Sequence, residues 1–468
     1  MKPFFPIQIA FRAISIYLIS LTIVSVVFFN YAMSIRYFVL GLICVLSFFL
    51  WSVRCCKGWK SLNAAKYLEY LFFLALMLRL AWVVFSYYYY IEVTGIPFEF
   101  STADAWGYHN EAKWLASEQW NAVWNYYFGG GLRDISDVGY PLYLTVIYKV
   151  FGPVIIIPRI IKAFLSSFTC VLVYKLSSRT FGEGIGRMAG VMCALMPNLI
   201  IYCGYHLKET EMIFLEVAFL ERLDYLIRNH KFSFFTILLP SLIAGSLFFF
   251  RTVLGAACVL SFATGVMLAS TPTMGDNMKR ALLIGWGVIC LAVFSGSTAM
   301  TEVEALWEQK DINLENKRIE QTSRGSQWAK YATGSVMVPM AFVLPFATMI
   351  DVDEQYIQQE KSGGNYVRNF MGFFALLAIY ESIRKKKIRD FAIIGSFVVA
   401  YLGVVSLSGF SNSERFLLPG LPCLIMMWAY GISTLREKTY RLLTPWCVIV
   451  ILMEVGWAYF KLGSRGLF

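Results

Sequence analysis

Apolar runs of about 17 to 24 residues recur along this chain, and they constrain its fold more than any other feature. Of the 468 residues, 58% are hydrophobic and only 15% are charged. Each run is long enough to cross about 30 Å of hydrocarbon as a helix. The strands of a transmembrane β-barrel would instead alternate over about 10 residues. The sequence therefore predicts an all-α polytopic membrane protein.

The apolar runs and the basic connectors between them predict the topology. We expect the basic connectors to face the cytoplasm, because positive loops stay inside. That orientation places the N-terminus inside and segments 91–158, 300–364 and 409–415 outside. The first run lacks a small-residue cleavage site, so we expect a retained span. The roughly 13 predicted transmembrane helices are 10–29, 37–53, 67–90, 159–178, 187–203, 209–226, 233–250, 252–270, 281–299, 365–382, 391–408, 416–434 and 443–461.

The distribution of charge argues against nucleic-acid binding, and the positions of the cysteines argue against disulfides and a zinc site. The net charge of +11 comes from Lys and Arg in short connectors, without a basic stripe interleaved with aromatics. We therefore expect no nucleic-acid partner. The ten cysteines lie mostly in apolar runs, without the setting of a disulfide or the spacing of a zinc site. They are interpreted as small packing residues.

The first outer segment carries the main candidate site. Asp104 follows the span 67–90 in segment 91–158, which is rich in Trp and Tyr. Because these side chains favour the membrane interface, we expect this segment to form short interfacial helices. Tyr108 and His109 lie four and five residues further on, near Asp104 on a helix. A partly desolvated carboxylate at this depth is suited to take a proton. Asp104 could equally cap the helix that runs through Trp114.

A second cluster lies in the turn before the span 209–226. It contains His206, Lys208 and Glu209. Glu209 could be stabilised by the helix dipole alone. The functional alternative makes Glu209 a second acid in the same cavity as Asp104, with His206 and Lys208 contacting an anionic substrate.

Three arginines stand at the outer ends of apolar runs: Arg159, Arg251 and Arg415. A charge beside hydrocarbon costs about 2–3 kcal/mol near the centre of the bilayer. It persists where the side chain snorkels to headgroups or meets an anion. The planar guanidinium grips phosphate in two places, so these arginines are candidates for a lipid-linked phosphate.

Metal binding is the weaker interpretation of the outer cluster. His109 and His206 could meet, and Asp104 or Glu209 could complete a divalent site. Three histidines in the whole chain are too few for a persuasive metal centre. The sequence predicts no definite cofactor.

The outer segments contain two apolar stretches that are hard to place. Residues 139–152 are too short for a span and predict a buried or surface-lying helix. Residues 335–350 predict a re-entrant or outer-leaflet helix. The mixed charges of 300–334 are typical of a solvated helical hairpin.

Taken together, these positions resemble the GT-C superfamily of polytopic glycosyltransferases, in particular bacterial relatives of the protein O-mannosyltransferases and of the lipid A aminoarabinose transferase. The resemblance covers about residues 67–434. Four stretches carry it: Leu78-Arg79-Leu with Asp104-x-x-x-Tyr108-His109-x-x-Ala112, the Gly139-Tyr-Pro-Leu-Tyr-Leu helix with Phe151-Gly152 and Arg159, Pro197 to Glu209, and Glu414-Arg415-Phe-Leu-Leu-Pro419-Gly-Leu-Pro422.

The resemblance implies a sugar donor on a polyprenyl phosphate and a glycan, lipid or protein acceptor. It implies inverting transfer on the periplasmic face of the bacterial inner membrane, among membrane lipids. Asp104 matches the family's presumed base, and Glu209 loosely matches its second acid. The family often has two adjacent acids where this chain has Ala103 beside Asp104. Three parts are expected: two added helices (1–66), a GT-C-like catalytic module (67–364) and C-terminal helices (365–468).

Two alternatives remain open. An O-antigen-type polymerase or ligase would use lipid-linked oligosaccharide and depend on arginines and a histidine. A lipid or solute transporter would show inverted repeats and charges near mid-span. The sequence shows no repeat, and its candidate groups gather on one side.

Overall fold

The described part of the chain is almost entirely helical. The computed structural model describes residues 5–100, 103–129, 137–229, 234–269, 280, 283–285, 287, 340–352, 355–407, 413–463 and 465–467. The helices are α1 (Ile7–Val27), α2 (Ile35–Gly58), α3 (Ala64–Thr94), α4 (Ala103–Ser117), α5 (Trp120–Phe128), α6 (Gly139–Phe151), α7 (Ile156–Phe181), α8 (Glu183–Leu195), α9 (Pro197–Ile201), α10 (Glu209–Asn229), α11 (Phe234–Phe250), α12 (Thr252–Thr264), α13 (Tyr356–Glu360), α14 (Ser362–Arg384), α15 (Ala392–Leu407), α16 (Glu414–Leu417), α17 (Leu421–Ser433), α18 (Glu437–Arg441) and α19 (Leu443–Gly463).

Among the described residues, six helical segments are long and apolar enough to cross a membrane, and the bent pair α8–α9 brings the number to seven if it forms one span. This confirms a polytopic helical membrane protein. Helices α11, α12 and α17 are apolar but shorter, so the count of 13 spans stays a prediction. The predicted span 281–299 falls almost wholly outside the described residues.

Helix α7 lies at the centre, packed against α3, α8 and α10. Arg79 of α3 is fully buried among these helices. Its guanidinium donates to the Ser166 hydroxyl at 2.7 Å and to the Ala194 carbonyl at 3.1 Å. Buried charges persist when every donor finds an acceptor. Arg79 therefore ties three central helices together rather than facing substrate.

Alternating helix directions divide the helix ends into two sets. Most basic connectors lie beside the first set of helix ends. In this set, Arg179 of α7 contacts Glu221 at 2.8 Å and Asp224 at 2.9 Å. The other set contains the start of α10, the start of α14 and the end of α19. This second set surrounds the candidate site.

Over its described residues, segment 91–158 contains the short helices α4, α5 and α6, as predicted. Residues 139–152 form the short helix α6, which packs against α4 and α11. The helix predicted for 335–350 is wrong over the part that is described, because residues 341–350 form turns and extended chain. Pro345 lacks an N–H for a helix. The Asn369 amide instead donates to the carbonyls of Val343 (2.6 Å) and Pro345 (2.9 Å). Residues 130–136 and 300–334 lie outside the described ranges.

The two N-terminal helices pack closely on the C-terminal ones. Helix α1 contacts α19, and α2 contacts α14. A Cβ placed on Gly363 would lie 2.6 Å from the Gly41 carbonyl, so only glycine allows this approach. An isolated antiparallel bridge joins Ala32 to Ile350. The N-terminal helices thus contact the segment between 345 and 363.

Candidate functional site

A cavity of about 860 Å³ opens among the second set of helix ends. Its walls come from α4, α13, α14, α16 and α19, and from the turns that precede α10 and α13. Its size lies in the upper part of the range for small-molecule sites. The lining residues are Phe100, Ala103, Asp104, Tyr202, Tyr205, Leu207, Pro345, Phe346, Thr348, Tyr356, Ile357, Gln358, Lys361, Asn365, Ser413, Glu414, Arg415, Phe416, Trp457 and Lys461.

Arg415 joins the two carboxylates that the sequence singled out. Its Nη1 donates to Asp104 Oδ2 and its Nε donates to Glu209 Oε1. Asp104 sits in the first turn of α4, Glu209 begins α10, and Arg415 lies in the single turn α16. The Asp104 side chain is 54% exposed, whereas that of Glu209 is fully buried. One guanidinium therefore holds an accessible acid and a buried acid together.

Arg251 supplies a second cation behind the cavity wall. Its Nη2 lies 3.7 Å from Glu209 Oε1, and its Nη1 lies 3.3 Å from the Tyr401 hydroxyl. Its guanidinium lies 4.3 Å from the centre of the Phe416 ring. Two guanidinium groups thus converge on one buried carboxylate, which gives the site cationic groups that a phosphate oxygen could share.

Lys208 contacts Asp137 rather than Glu209, the acid that follows it in sequence. Its Nζ lies 2.5 Å from Asp137 Oδ1. Burial raises the pKa of Asp137, but Lys208 and the nearby arginines outweigh it and keep that pKa below its usual value. Tyr108 lies next to these charges and packs edge-on against Tyr140, with ring centres 5.1 Å apart. Lys208 and Tyr108 therefore do not line the cavity. They border the charged cluster, which consists of Asp104, Glu209, Arg251 and Arg415.

His109 and His206 meet in a separate buried network. The Tyr148 hydroxyl lies 2.8 Å from His109 Nδ1 and 3.2 Å from His206 Nε2. Burial lowers the pKa of both imidazoles, which favours their neutral forms. The backbone N–H of His206 donates to Glu99 at 3.1 Å.

Arg159 belongs to the same network and does not line the cavity. Its Nη2 donates to the Pro97 carbonyl at 2.6 Å and lies 3.7 Å from Glu99 Oε2. Sequence reasoning missed Glu99, whose pKa burial raises. Within the described ranges no group of three His, Cys, Asp or Glu side chains could hold a metal ion.

Sequence reasoning also missed Glu360 and Lys361, the acid and the cation directly before α14. Lys361 Nζ lies 2.7 Å from Glu414 Oε2, and the Asn198 amide donates to Glu414 Oε1. Glu360 accepts hydrogen bonds from Tyr90 (2.7 Å) and Tyr205 (2.8 Å). Burial raises the pKa of Glu360 to about 7. The sequence did contain a signal for this pair, because Glu360 and Lys361 are an adjacent acid and base before an apolar run, as Lys208 and Glu209 are.

A second cavity of about 450 Å³ lies beside the charged cluster and is almost wholly apolar. It runs between α5, α6, α10 and α11. Its wall includes Phe249 and Phe250, which immediately precede Arg251, and the buried carboxyl of Glu211. This apolar groove therefore adjoins Arg251, which we call the cationic end of the site.

Comparisons with known proteins give a weak structural likeness. No family model matches the chain, and no curated protein matches it. A solved structure of the archaeal oligosaccharyltransferase AglB from Archaeoglobus fulgidus, in complex with an inhibitory peptide and a dolichol-phosphate, is similar with a TM-score of 0.45 and 11% identity. That match covers 87% of this chain and 56% of AglB.

A second structure gives the same picture. The oligosaccharyltransferase of Archaeoglobus fulgidus in complex with Zn and sulfate has a TM-score of 0.44 and 10% identity to this chain. The match covers 85% of this chain and 53% of that protein. The chain thus spans little more than half the length of the solved structures it resembles. We draw no assignment from a likeness at this level.

Proposed function

We propose that this protein is a GT-C-type membrane glycosyltransferase that moves a sugar from a polyprenyl phosphate to an acceptor hydroxyl. The reaction takes place at the outer face of a bacterial inner membrane, and the anomeric carbon inverts. One observation carries the proposal. Asp104 and Arg415, which are far apart in sequence, pair at the wall of one cavity, and Arg415 also holds the buried Glu209.

The chemistry requires a cation for the leaving phosphate and a base for the acceptor. Arg415 and Arg251 both offer guanidinium groups beside Oε1 of Glu209. An arriving phosphate shares Arg415 with Glu209 and displaces Asp104, the more exposed of its two carboxylate partners. Stabilising the charge that grows on the leaving group is usually the largest catalytic contribution.

The freed Asp104 then acts as the base. It takes the proton of the acceptor hydroxyl while the acceptor oxygen forms a bond to the anomeric carbon. The bond from that carbon to the phosphate oxygen breaks, and its electron pair stays on the phosphate beside Arg415. Attack opposite the leaving group inverts the anomeric carbon. General-base catalysis of this kind contributes about 10²–10⁴-fold.

The second cavity supports a lipid-linked donor. Its apolar wall ends at Phe250, directly before Arg251, so a prenyl chain lying there would bring its phosphate to the cationic end of the site. A soluble nucleotide sugar would gain nothing from such a groove. The position of the site among helix ends opposite the basic connectors supports an outer-face reaction.

The test is turnover of a defined donor in proteoliposomes. Undecaprenyl-phosphate aminoarabinose and undecaprenyl-phosphate mannose are supplied with a membrane lipid extract as acceptor, and released undecaprenyl phosphate is measured. We expect Asp104→Asn to lower turnover by at least about 100-fold while the protein stays folded. Asp390→Asn is the matched control, because Asp390 lies in the turn Ile388–Phe391 next to a basic connector.

Wild-type turnover in Asp104→Asn would overturn the assignment of the base. Mass spectrometry of the products separates the alternatives. Addition of one sugar supports the proposal, whereas transfer of a whole oligosaccharide indicates a polymerase or ligase. Movement of a labelled lipid without release of undecaprenyl phosphate indicates a transporter.

A further inference from the structure

The proposed transfer chemistry leaves part of the large cavity unused, and we call that part its second end. Asp104 and Arg415 line one part of its wall. Another part is formed by Trp457 and Lys461 of α19, together with Gln358 of α13. Because a sugar phosphate fills only part of about 860 Å³, the cavity has room for a second ligand.

The second end is built from aromatic rings and polar groups. The Trp457 ring lies 5.6 Å from Phe346, edge-on, and 5.5 Å from Phe460, stacked. Lys461 lies one helical turn after Trp457, and its Nζ is 5.3 Å from the centre of the Trp457 ring. The Lys461 ammonium also donates to the Gln355 side chain. The Gln355 side chain thus helps to position this ammonium in the cavity wall.

Two polar atoms at this end have no hydrogen-bond partner in the described part of the chain. They are the indole Nε1 of Trp457 and the side-chain oxygen Oε1 of Gln358, and both atoms are buried. An indole N–H normally finds a partner when it is buried. A site built to bind hydroxyl groups leaves such a donor and acceptor unpaired without its ligand.

Given the proposed transferase function, we propose that this second end is the acceptor subsite, and that it takes a saccharide carrying an acidic group. Trp457 donates to a sugar oxygen, Gln358 accepts from a sugar hydroxyl, and Lys461 contacts the acid. The apolar ring of Trp457 covers one face of the sugar. The acceptor hydroxyl then points along the cavity towards Asp104. We refer to Trp457, Gln358 and Lys461 as the acceptor triad.

A pair of small probes tests the acceptor triad without knowledge of the natural acceptor. Methyl β-D-glucuronide and methyl β-D-glucoside differ in the acid, and saturation-transfer NMR measures their affinities. We expect the glucuronide to bind at least about tenfold more tightly, and Lys461→Met to remove that preference. Lys461→Arg should keep it. Lys387→Met, an exposed lysine at the opposite helix ends, is the matched control.

Two further measurements show where the probe binds, and they separate the acceptor-subsite proposal from the transferase proposal. Trp457→Ala should weaken both probes about tenfold, and saturating undecaprenyl phosphate should displace neither. Equal affinities for the two probes, an unchanged preference in Lys461→Met, or displacement by undecaprenyl phosphate would overturn the acceptor subsite. None of these measurements requires turnover. Failure of the donor assay with Asp104→Asn is therefore distinguishable from failure of this inference.

Discussion

The two carboxylates held by Arg415 differ in burial, and this difference predicts unequal contributions to stability. The side chain of Glu209 is fully buried, whereas that of Asp104 is 54% exposed. Removing one partner of a buried ion pair costs about 3–5 kcal/mol, because a charge stays buried without compensation. An exposed pair contributes about 0–1 kcal/mol.

A double-mutant cycle separates the two interactions. Arg251 still lies 3.7 Å from Glu209 after Arg415 is removed, so part of the compensation persists. We therefore expect Arg415→Gln and Glu209→Gln to be coupled by about 2–3 kcal/mol. The coupling of Arg415→Gln with Asp104→Asn should stay below about 1 kcal/mol. The free energy of unfolding is measured by SDS titration in mixed micelles.

A surface pair calibrates the measurement. Arg441 and Glu437 are 3.7 Å apart, and their side chains are 80% and 88% exposed. Their coupling should be near zero. Equal coupling of Arg415 to the two carboxylates, or coupling to Glu209 no larger than in this surface pair, would refute the link between burial and interaction energy at the site.

Three further predictions concern pH, packing and topology. The folded pKa of Glu360, about 7, exceeds its ordinary 4.5, so its stabilising contribution is complete below pH 4.5 and is lost as pH rises through 7. Thermal unfolding should show a loss of at most about 3 kcal/mol between pH 4.5 and 8 that Glu360→Gln removes; an unchanged pH profile in that variant contradicts this. A Cβ on Gly431 would lie 2.1 Å from the Phe374 carbonyl, whereas Gly403 has open space, so Gly431→Ala should destabilise by about 2–3 kcal/mol and Gly403→Ala should not; similar melting temperatures for the two variants would be the contrary result. In a cysteine-free background, Arg465→Cys should react with an impermeant maleimide from the outer face of intact cells, and protection until lysis would reverse the orientation.

The sequence predicted the features that depend on composition and on helix ends. Helical spans follow from apolar length, and the short helix at 139–152 was predicted because its run is too short to cross a bilayer. The site proposed around Asp104 rested on charges beside spans. The structure brings together Asp104, Glu209, Arg251 and Arg415.

The sequence did not predict which way individual side chains point. His109 lies five residues after Asp104 on the same helix, yet it contacts Tyr148 rather than the cavity. Arg159 stands at an outer helix end, as Arg251 does, but it contacts Glu99. Trp457 and Lys461 looked like ordinary residues near the end of an apolar run. Their place in the cavity depends on long-range packing of α19 that no local pattern encodes.

The bridge between Ala32 and Ile350 and the close approach of Gly41 to Gly363 link the N-terminal hairpin to the cavity wall. A chain shortened by its first two helices would keep Asp104 and Arg415 but would lose the Tyr37 ring, whose centre lies 6.5 Å from that of Tyr356 in the cavity wall. Under the proposed transferase function, this truncation should leave donor consumption intact while acceptor selectivity is lost, so that helices remote from Asp104 and Arg415 select the molecule that receives the sugar.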